Sequence, residues 1–184
     1  MDCEATETRE EGERKMKIIL MRHGNALQGS LDSARPLSEK GTREAAVAGI
    51  FLRSINEIPN VILHSSLLRS RETAEHVEKA LGATGLLRLN TGLKPEDSPR
   101  EFLSEALTEF AEYADSDYTV MVVGHEPFIS ELASLLLWNS RCNLTFDTGT
   151  LLKAESSNPE KEWDLCFYVK NEYLGGLFPA PDVS

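Results

Sequence analysis

Apolar residues along this chain fall into short unbroken runs and into stripes of helical spacing, and the two kinds alternate. Residues 17–21 (Lys-Ile-Ile-Leu-Met) predict a short buried strand, closed by the turn Arg22-His23-Gly24. A loop follows to Pro36. Ser38 then stands as a helix N-cap, and Ala45, Ala48, Leu52 and Ile55 recur at three- and four-residue spacing, one face of a helix. Pro59-Asn60 breaks the chain before a second buried strand, Val61–His64, and a helix beginning around Leu68 turns Ala74, Val77 and Leu81 inward.

Residues 86–89 predict a third short strand. Ser98 caps the next helix, Pro99 sits in its first turn where no amide donor is needed, and Glu101 completes a capping box; the helix should run to about Tyr113. Residues 117–123 predict a fourth strand ending in Gly124-His125, and Pro127 opens a helix through Leu137. Residues 150–154 and 163–169 predict two strands joined by a polar turn around Ser157-Asn158-Pro159. Strands alternating with helices imply an α/β fold: a mostly parallel sheet covered on both faces, in three α/β/α layers, with the last two strands an antiparallel addition. The 184 residues suit a single domain. Its expected extent is 16–175, between a disordered acidic tail at 1–15 and a Pro- and Gly-rich tail at 176–184. There is no internal repeat and no low-complexity tract.

Charge narrows the function. The net charge is -11, which argues against nucleic acid as a partner because a phosphate backbone calls for an excess of Lys and Arg. The same charge repels an anionic substrate at long range, so any phosphate site must be a local cationic pocket built around arginine. No apolar stretch is long enough to cross a bilayer. The first fifteen residues lack the apolar middle of a secretory signal and are too rich in Glu for a typical transit peptide, so the expected location is cytoplasmic, away from membranes. The three cysteines, Cys3, Cys142 and Cys166, show no metal-ligand spacing and read as free thiols, with Cys166 expected in the core. No Walker loop, HExxH, paired CxxC or GxSxG elbow is present.

Ligands of open α/β sheets bind beyond the carboxyl ends of the strands. Three strand ends here carry reactive side chains: Arg22-His23-Gly24, then His64-Ser65-Ser66 with Arg69 in the following helix, then Gly124-His125-Glu126. Two histidines and two arginines on one rim suit a tetrahedral anion, since the guanidinium donors match phosphate oxygens in pairs. Neighbouring guanidinium groups disfavour a protonated histidine, which leaves a neutral nucleophile near pH 7. The same cations would stabilise charge on the transferring phosphoryl oxygens. Gly24 would let the backbone approach the anion closely. Asn25 and Ser30 are further candidates for phosphate or substrate contact. His64 reads as structural, His76 and Arg71 as surface residues, and Trp138 and Trp163 as packing residues.

The chain resembles the histidine phosphatase superfamily, also called phosphoglycerate mutase-like, and within it the small phosphohistidine phosphatase branch of the SixA type. The matching runs are Leu20-Met21-Arg22-His23-Gly24-Asn25-Ala26, Arg35-Pro36-Leu37-Ser38-Glu39-Lys40-Gly41, Ser65-Ser66-Leu67-Leu68-Arg69-Ser70-Arg71-Glu72-Thr73-Ala74 and Val122-Val123-Gly124-His125-Glu126-Pro127, with a weaker match at Phe146-Asp147-Thr148-Gly149. The resemblance implies a six-stranded mixed sheet, His23 as the phosphoryl acceptor, and Arg22, Arg69 and His125 as groups holding the phosphoryl oxygens. Water would then release phosphate, and neither a metal nor an organic cofactor is implied. One departure is Ser66, which stands where the family usually carries proline. A second concerns the proton donor that larger members place after the third strand: here Glu96 and Asp97 are the candidates. The small branch manages without a well-placed acid, because a phosphoramidate nitrogen takes its proton from solvent more readily than an alkoxide does. The expected substrate is therefore protein phosphohistidine or another small phosphorylated target. A phosphomonoesterase or mutase acting on a metabolite, and a phosphate- or partner-binding module without turnover, stand as alternatives. Oligomeric state is not legible.

Overall fold

The apolar runs become the strands of one sheet. The computed structural model describes residues 15–110, 113, 118–138 and 144–178. Most of the two expected tails, Cys3, Cys142, and the expected junctions at 111–112 and 114–117 lie outside the described residues. In chain order the elements are β1 (Met16–Arg22), α1 (Glu39–Ser54), β2 (Val61–His64), α2 (Leu68–Leu81), β3 (Leu87–Leu89), α3 (Pro99–Phe110), β4 (Thr119–Gly124), α4 (Phe128–Trp138), β5 (Leu151–Asn158), β6 (Glu162–Val169) and α5 (Asn171–Leu177), with a 3₁₀ turn at Asp32–Ala34. The sheet order is β3-β2-β4-β1-β5-β6. The first four strands are mutually parallel, and β5 is antiparallel to both β1 and β6. This is the six-stranded mixed sheet of the sequence reading.

The central strands are continuous apolar runs because both of their faces are covered. Ile18, Leu20, Val120 and Val122 point into a core closed by Phe102, Phe110, Phe128 and Leu132 of α3 and α4. Ile19, Met21, Met121 and Val123 point the other way, onto Ala45, Ala48, Leu52, Ala74 and Val77 of α1 and α2. The period of two along each strand thus divides the apolar residues between two helical layers. Ser38 caps α1, its Oγ accepting the Gly41 amide at 3.1 Å, and Ser98 Oγ accepts the Glu101 amide at 3.3 Å at the start of α3. Among the described residues no helix is long and apolar enough to cross a membrane.

Four details depart from the sequence reading. Ile55 follows the last turn of α1 and is exposed, because the helix ends at Ser54. Trp163 packs in the core, whereas Trp138 at the end of α4 is exposed. Cys166, expected in the core, is a free and exposed thiol. On β6, Phe167 pairs with Lys153 and Leu165 with Ala154, so Cys166 is the extra residue of a bulge and leaves the inward alternation. Finally, the chain does not relax into a tail at 176. Helix α5 runs through Gly175 and Gly176 to Leu177, held by Leu174, which is buried against the α1 and α2 layer, while the Phe178 ring lies 6.0 Å from that of Phe51. Burial of these two side chains outweighs the weak helix propensity of the glycine pair.

Candidate active site

Strand register sets the site. Arg22 is opposite Gly124 and His64 is opposite Val123, so β1, β4 and β2 end at nearly one level, side by side. The next residues, His23, His125 and Ser65, therefore emerge together, and the His23 amide donates to Gly124 O at 3.0 Å. All three are buried. The imidazole rings of His23 and His125 lie 4.8 Å apart between centroids.

The hydrogen bonds of His23 assign its two nitrogens. Nδ1 lies 2.7 Å from the carbonyl oxygen of Gly24, which can only accept, so Nδ1 carries the proton. Nε2 is then a lone pair, and it receives the Nε–H of Arg69 at 3.2 Å. Burial, followed by the charges of Arg69, Arg22 and Arg35, holds the His23 pKa down at about 4, although the bond to Gly24 pulls it upward. Neutral His23 with its lone pair on Nε2 is the form present at pH 7.

His125 is neutral for the same leading reason. Burial, then the neighbouring His23 and Arg69, lower its pKa to about 3. Its Nε2 is 2.6 Å from Ser65 Oγ, and that oxygen already accepts the Leu67 amide at 3.2 Å. The Ser65 hydroxyl can therefore give its proton to Nε2, leaving Nδ1 as an N–H donor. That Nδ1 is buried and has no partner, as is Nε of Arg22. Two unsatisfied buried donors on one rim are costly unless a ligand takes them up. Arg22 is anchored at its other end, Nη1 donating to Phe146 O at 2.6 Å.

Arg69 is buried on the first turn of α2 and is tied to a residue that the sequence reading passed over. Its Nη1 and Nη2 donate to Asp32 O at 2.9 Å and to Asp32 Oδ2 at 3.1 Å. The hydrogen bond from Arg35, at 3.0 Å, is the leading cause that lowers the Asp32 pKa, and Arg69 adds to it, so this carboxylate stays ionised. The signal in the sequence was Asp32 preceding Arg35 by three residues at the start of the second motif.

The other candidates are placed as follows. Gly24 gives its amide to Thr73 Oγ1 at 3.0 Å, and its bare Cα is required by α1: a Cβ there would stand 2.5 Å from Gly41 O. Asn25 is bound into the loop, its amide on Glu44 Oε2 at 2.7 Å and its Oδ1 accepting the Ser38 hydroxyl at 2.7 Å. Ser30 is exposed on the loop before the 3₁₀ turn. Glu96 is exposed, and Asp97 Oδ2 accepts the Lys94 amide at 2.7 Å. Both follow β3, three strands from β1, which sets their strand end roughly 14 Å from that of β1 at about 4.8 Å per strand. Among the described contacts neither carboxylate touches His23, Arg22, Arg69 or His125. His64 turns its Nδ1 to Ser65 O at 2.9 Å, and Arg71 is exposed and pairs with Glu75 at 3.4 Å. The sequence reading also missed Glu44, a buried carboxylate that accepts from Asn25 N and, at 3.0 Å, from Thr148 Oγ1. Its place four residues before Ala48 on the apolar stripe was the available signal.

Comparison with known proteins places the chain among relatives. A family model described as the histidine phosphatase superfamily (branch 1) matches residues 18–94. An uncharacterised protein of Mycobacterium tuberculosis strain H37Rv is 34% identical over 118 residues, covering 63% of this chain and 69% of that protein. An uncharacterised chloroplastic protein of Arabidopsis thaliana is 29% identical over 180 residues, covering 91% of this chain and 79% of its own. Among solved structures, the protein histidine phosphatase SixA complexed with tungstate superposes with a TM-score of 0.78 at 22% identity, over 86% of this chain and 99% of that one.

Proposed function

The chain belongs to the histidine phosphatase superfamily and is a histidine-dependent phosphatase; from that premise we propose that His23 Nε2 accepts the phosphoryl group and that the substrate is protein phosphohistidine or another small phosphorylated target. The observation that carries this reading is the unprotonated Nε2 of His23, bonded by the Arg69 guanidinium, on a strand-end rim that also holds two buried donors without partners.

The Nε–H of Arg69 turns from Nε2 to a phosphoryl oxygen, and the freed Nε2 lone pair attacks phosphorus, forming a P–N bond while the bond to the leaving nitrogen breaks. The departing electron pair stays on the leaving imidazole, which is protonated by solvent. His125 Nδ1–H, Arg22 and Arg69 donate to the phosphoryl oxygens, whose charge grows most toward the transition state. Water then attacks the phosphohistidine, the P–N bond breaks, and Nε2 recovers its lone pair as phosphate leaves. No step requires a carboxylic acid. The carboxylate tied to Arg69, that of Asp32, is ionised and has no proton to give, and Asp97 is taken up by the Lys94 amide, with neither it nor Glu96 in a described contact with the four site residues. That arrangement favours a phosphoramidate, whose nitrogen leaves without help, over an alkyl phosphate, which needs a donor.

The test is to incubate the protein with a labelled phosphodonor, quench, and examine the phosphoenzyme. An acid-labile, alkali-stable adduct that is lost in His23→Ala is expected; labelling that survives in the variant removes His23 as the acceptor. Turnover of a phosphohistidine peptide against a phosphoserine peptide and sugar phosphates then ranks the substrates. Hydrolysis confined to sugar phosphates would overturn the phosphohistidine assignment.

A further inference from the structure

Arg22 divides the carboxyl-end rim of the sheet in two. On one side stand His23, His125 and Ser65, over β1, β4 and β2. On the other, over β1, β5 and β6, lies a second cleft of about 650 Å³ that the mechanism does not use. Topology places it there: β5 is antiparallel to β1, so Asp147 and Thr148 enter at this rim, and β6 delivers Lys170 and α5 to it. Helix α1 adds Lys40 and Arg43 from its first turn and the next.

Four cations therefore line one cleft, Arg22, Lys40, Arg43 and Lys170, in a chain whose net charge is -11. Three carboxylates face them, so the cleft keeps only a small cationic excess; two of the three are tied to protein partners, one of them to Lys170. Glu44 is the buried floor, fixed by the Asn25 amide and the Thr148 hydroxyl, and Asp147 is paired with Lys170 at 2.8 Å. The third, Glu172, is exposed on α5. Lys40 and Arg43 are exposed by 70% and 56% of their side chains, and their intrahelical partners lie at 3.6 Å and 3.8 Å. The Arg43–Glu39 pair is solvated on both sides and exchanges readily for a ligand anion, whereas Lys40 leans loosely on the buried Glu44. Arg22 also lines this cleft, so it joins the two halves of the rim.

We propose that this cleft is a subsite for a carboxylate carried on the same molecule as the phosphoryl group, so that the enzyme selects phosphorylated substrates with an acidic neighbour. The inference rests on the phosphatase reading above and names a substrate class for that site. A cleft with an excess of cations beside the nucleophile would also help so acidic a protein capture a doubly anionic substrate, because attraction at short range outweighs a diffuse repulsion that salt screens.

The experiment compares two pairs of ligands on the wild-type protein and on the double variant Lys40→Gln/Arg43→Gln. The first pair is a peptide bearing a hydrolysis-resistant phosphonotriazole mimic of phosphohistidine, flanked either by Asp and Glu or by Asn and Gln; the readout is the Kd. The second pair is 3-phosphoglycerate and glycerol 3-phosphate, each titrated for binding. At least a tenfold preference for the carboxylate-bearing member of one pair is expected, falling below threefold in the double variant. The pair that shows it identifies the carboxylate source as peptide or small molecule. Equal affinities within both pairs, or a preference that survives in the variant, would overturn the subsite. Phosphoramidate carries no carboxylate, so both proteins should hydrolyse it equally, and a large loss in the variant counts against the proposal. If the wild-type protein does not hydrolyse phosphoramidate at all, the phosphatase reading fails, while the affinity comparison still decides the subsite.

Discussion

Nε of Arg69 donates to Nε2 of His23 across 3.2 Å, while the far edge of the same guanidinium grips the backbone and carboxylate of Asp32. One buried cation therefore holds the ring of the proposed nucleophile in place and fastens the loop that carries Asp32. Because the guanidinium is planar and rigid, it can do both at once, which a lysine ammonium on a flexible stem cannot.

Arg69→Lys should accordingly lower kcat/KM by about 10²- to 10³-fold, the range seen when one preorganised donor to a transition state is removed. Asp32→Asn keeps the shape and the backbone acceptor and removes only the carboxylate charge beside the buried guanidinium, so its effect should be clearly smaller than that of Arg69→Lys. Steady-state rates on phosphoramidate and on a phosphohistidine peptide check both. Equal losses in the two variants would contradict the role given to Arg69.

Ser65 acts through His125. Without the 2.6 Å contact the imidazole is free to place its proton on either nitrogen, and the Nδ1 donor is no longer guaranteed. Ser65→Ala should reduce kcat about tenfold or more, the scale of one lost hydrogen bond to a group that meets charge, with a smaller change in KM. Ser65→Thr retains the hydroxyl and should recover part of the loss. NMR of the His125 ring nitrogens should report a mixed tautomer in the alanine variant.

The two histidines predict a pH response of definite sign. Their folded pKa values, about 4 for His23 and about 3 for His125, lie below the ordinary 6.5. Between those limits the unfolded chain binds protons that the native state does not, so stability is undiminished above pH 6.5 and falls as the pH drops toward 4. His23→Asn should flatten that slope in denaturant titrations at pH 4.5 and 7. The acid limb of kcat/KM, which reports the free enzyme, should likewise fall near pH 4. A limb centred at 6.5 would mean that His23 is not held neutral.

Gly41→Ala tests the close approach of α1 to the loop after β1. A Cβ on Gly41 would stand 2.0 Å from the backbone oxygen of Asn25, and backbone on both sides leaves little room to yield. The expected cost is about 1–3 kcal/mol or more, as for other overpacked sites. A lower denaturation midpoint with an unchanged m-value is the outcome to look for.

Much of this architecture was legible because strands covered on both faces must be apolar throughout, and residues 17–21, Val61–His64 and 117–123 read that way. Edge elements were harder to read. The bulge at Cys166 and the helix through Gly175 and Gly176 depend on cross-strand register and on burial against α1, neither of which has a local signal. Asp32 and Glu44 were passed over for a related reason: a charged side chain looks solvated until its partners, distant in sequence, are known.

By itself the sequence determined that Arg22, His23, Arg69 and His125 follow strand ends, since the apolar runs end where they begin and a sheet offers those ends to ligands on one rim. Only the tertiary structure decided which nitrogen of His23 is unprotonated, that Arg69 binds Asp32 rather than its helical neighbours, that Asp97 is bound to the Lys94 amide, and that Arg22 fronts a second cationic cleft. Strand order and register set these relationships, and a side-chain period, which repeats identically whichever strand lies alongside, carries no record of them.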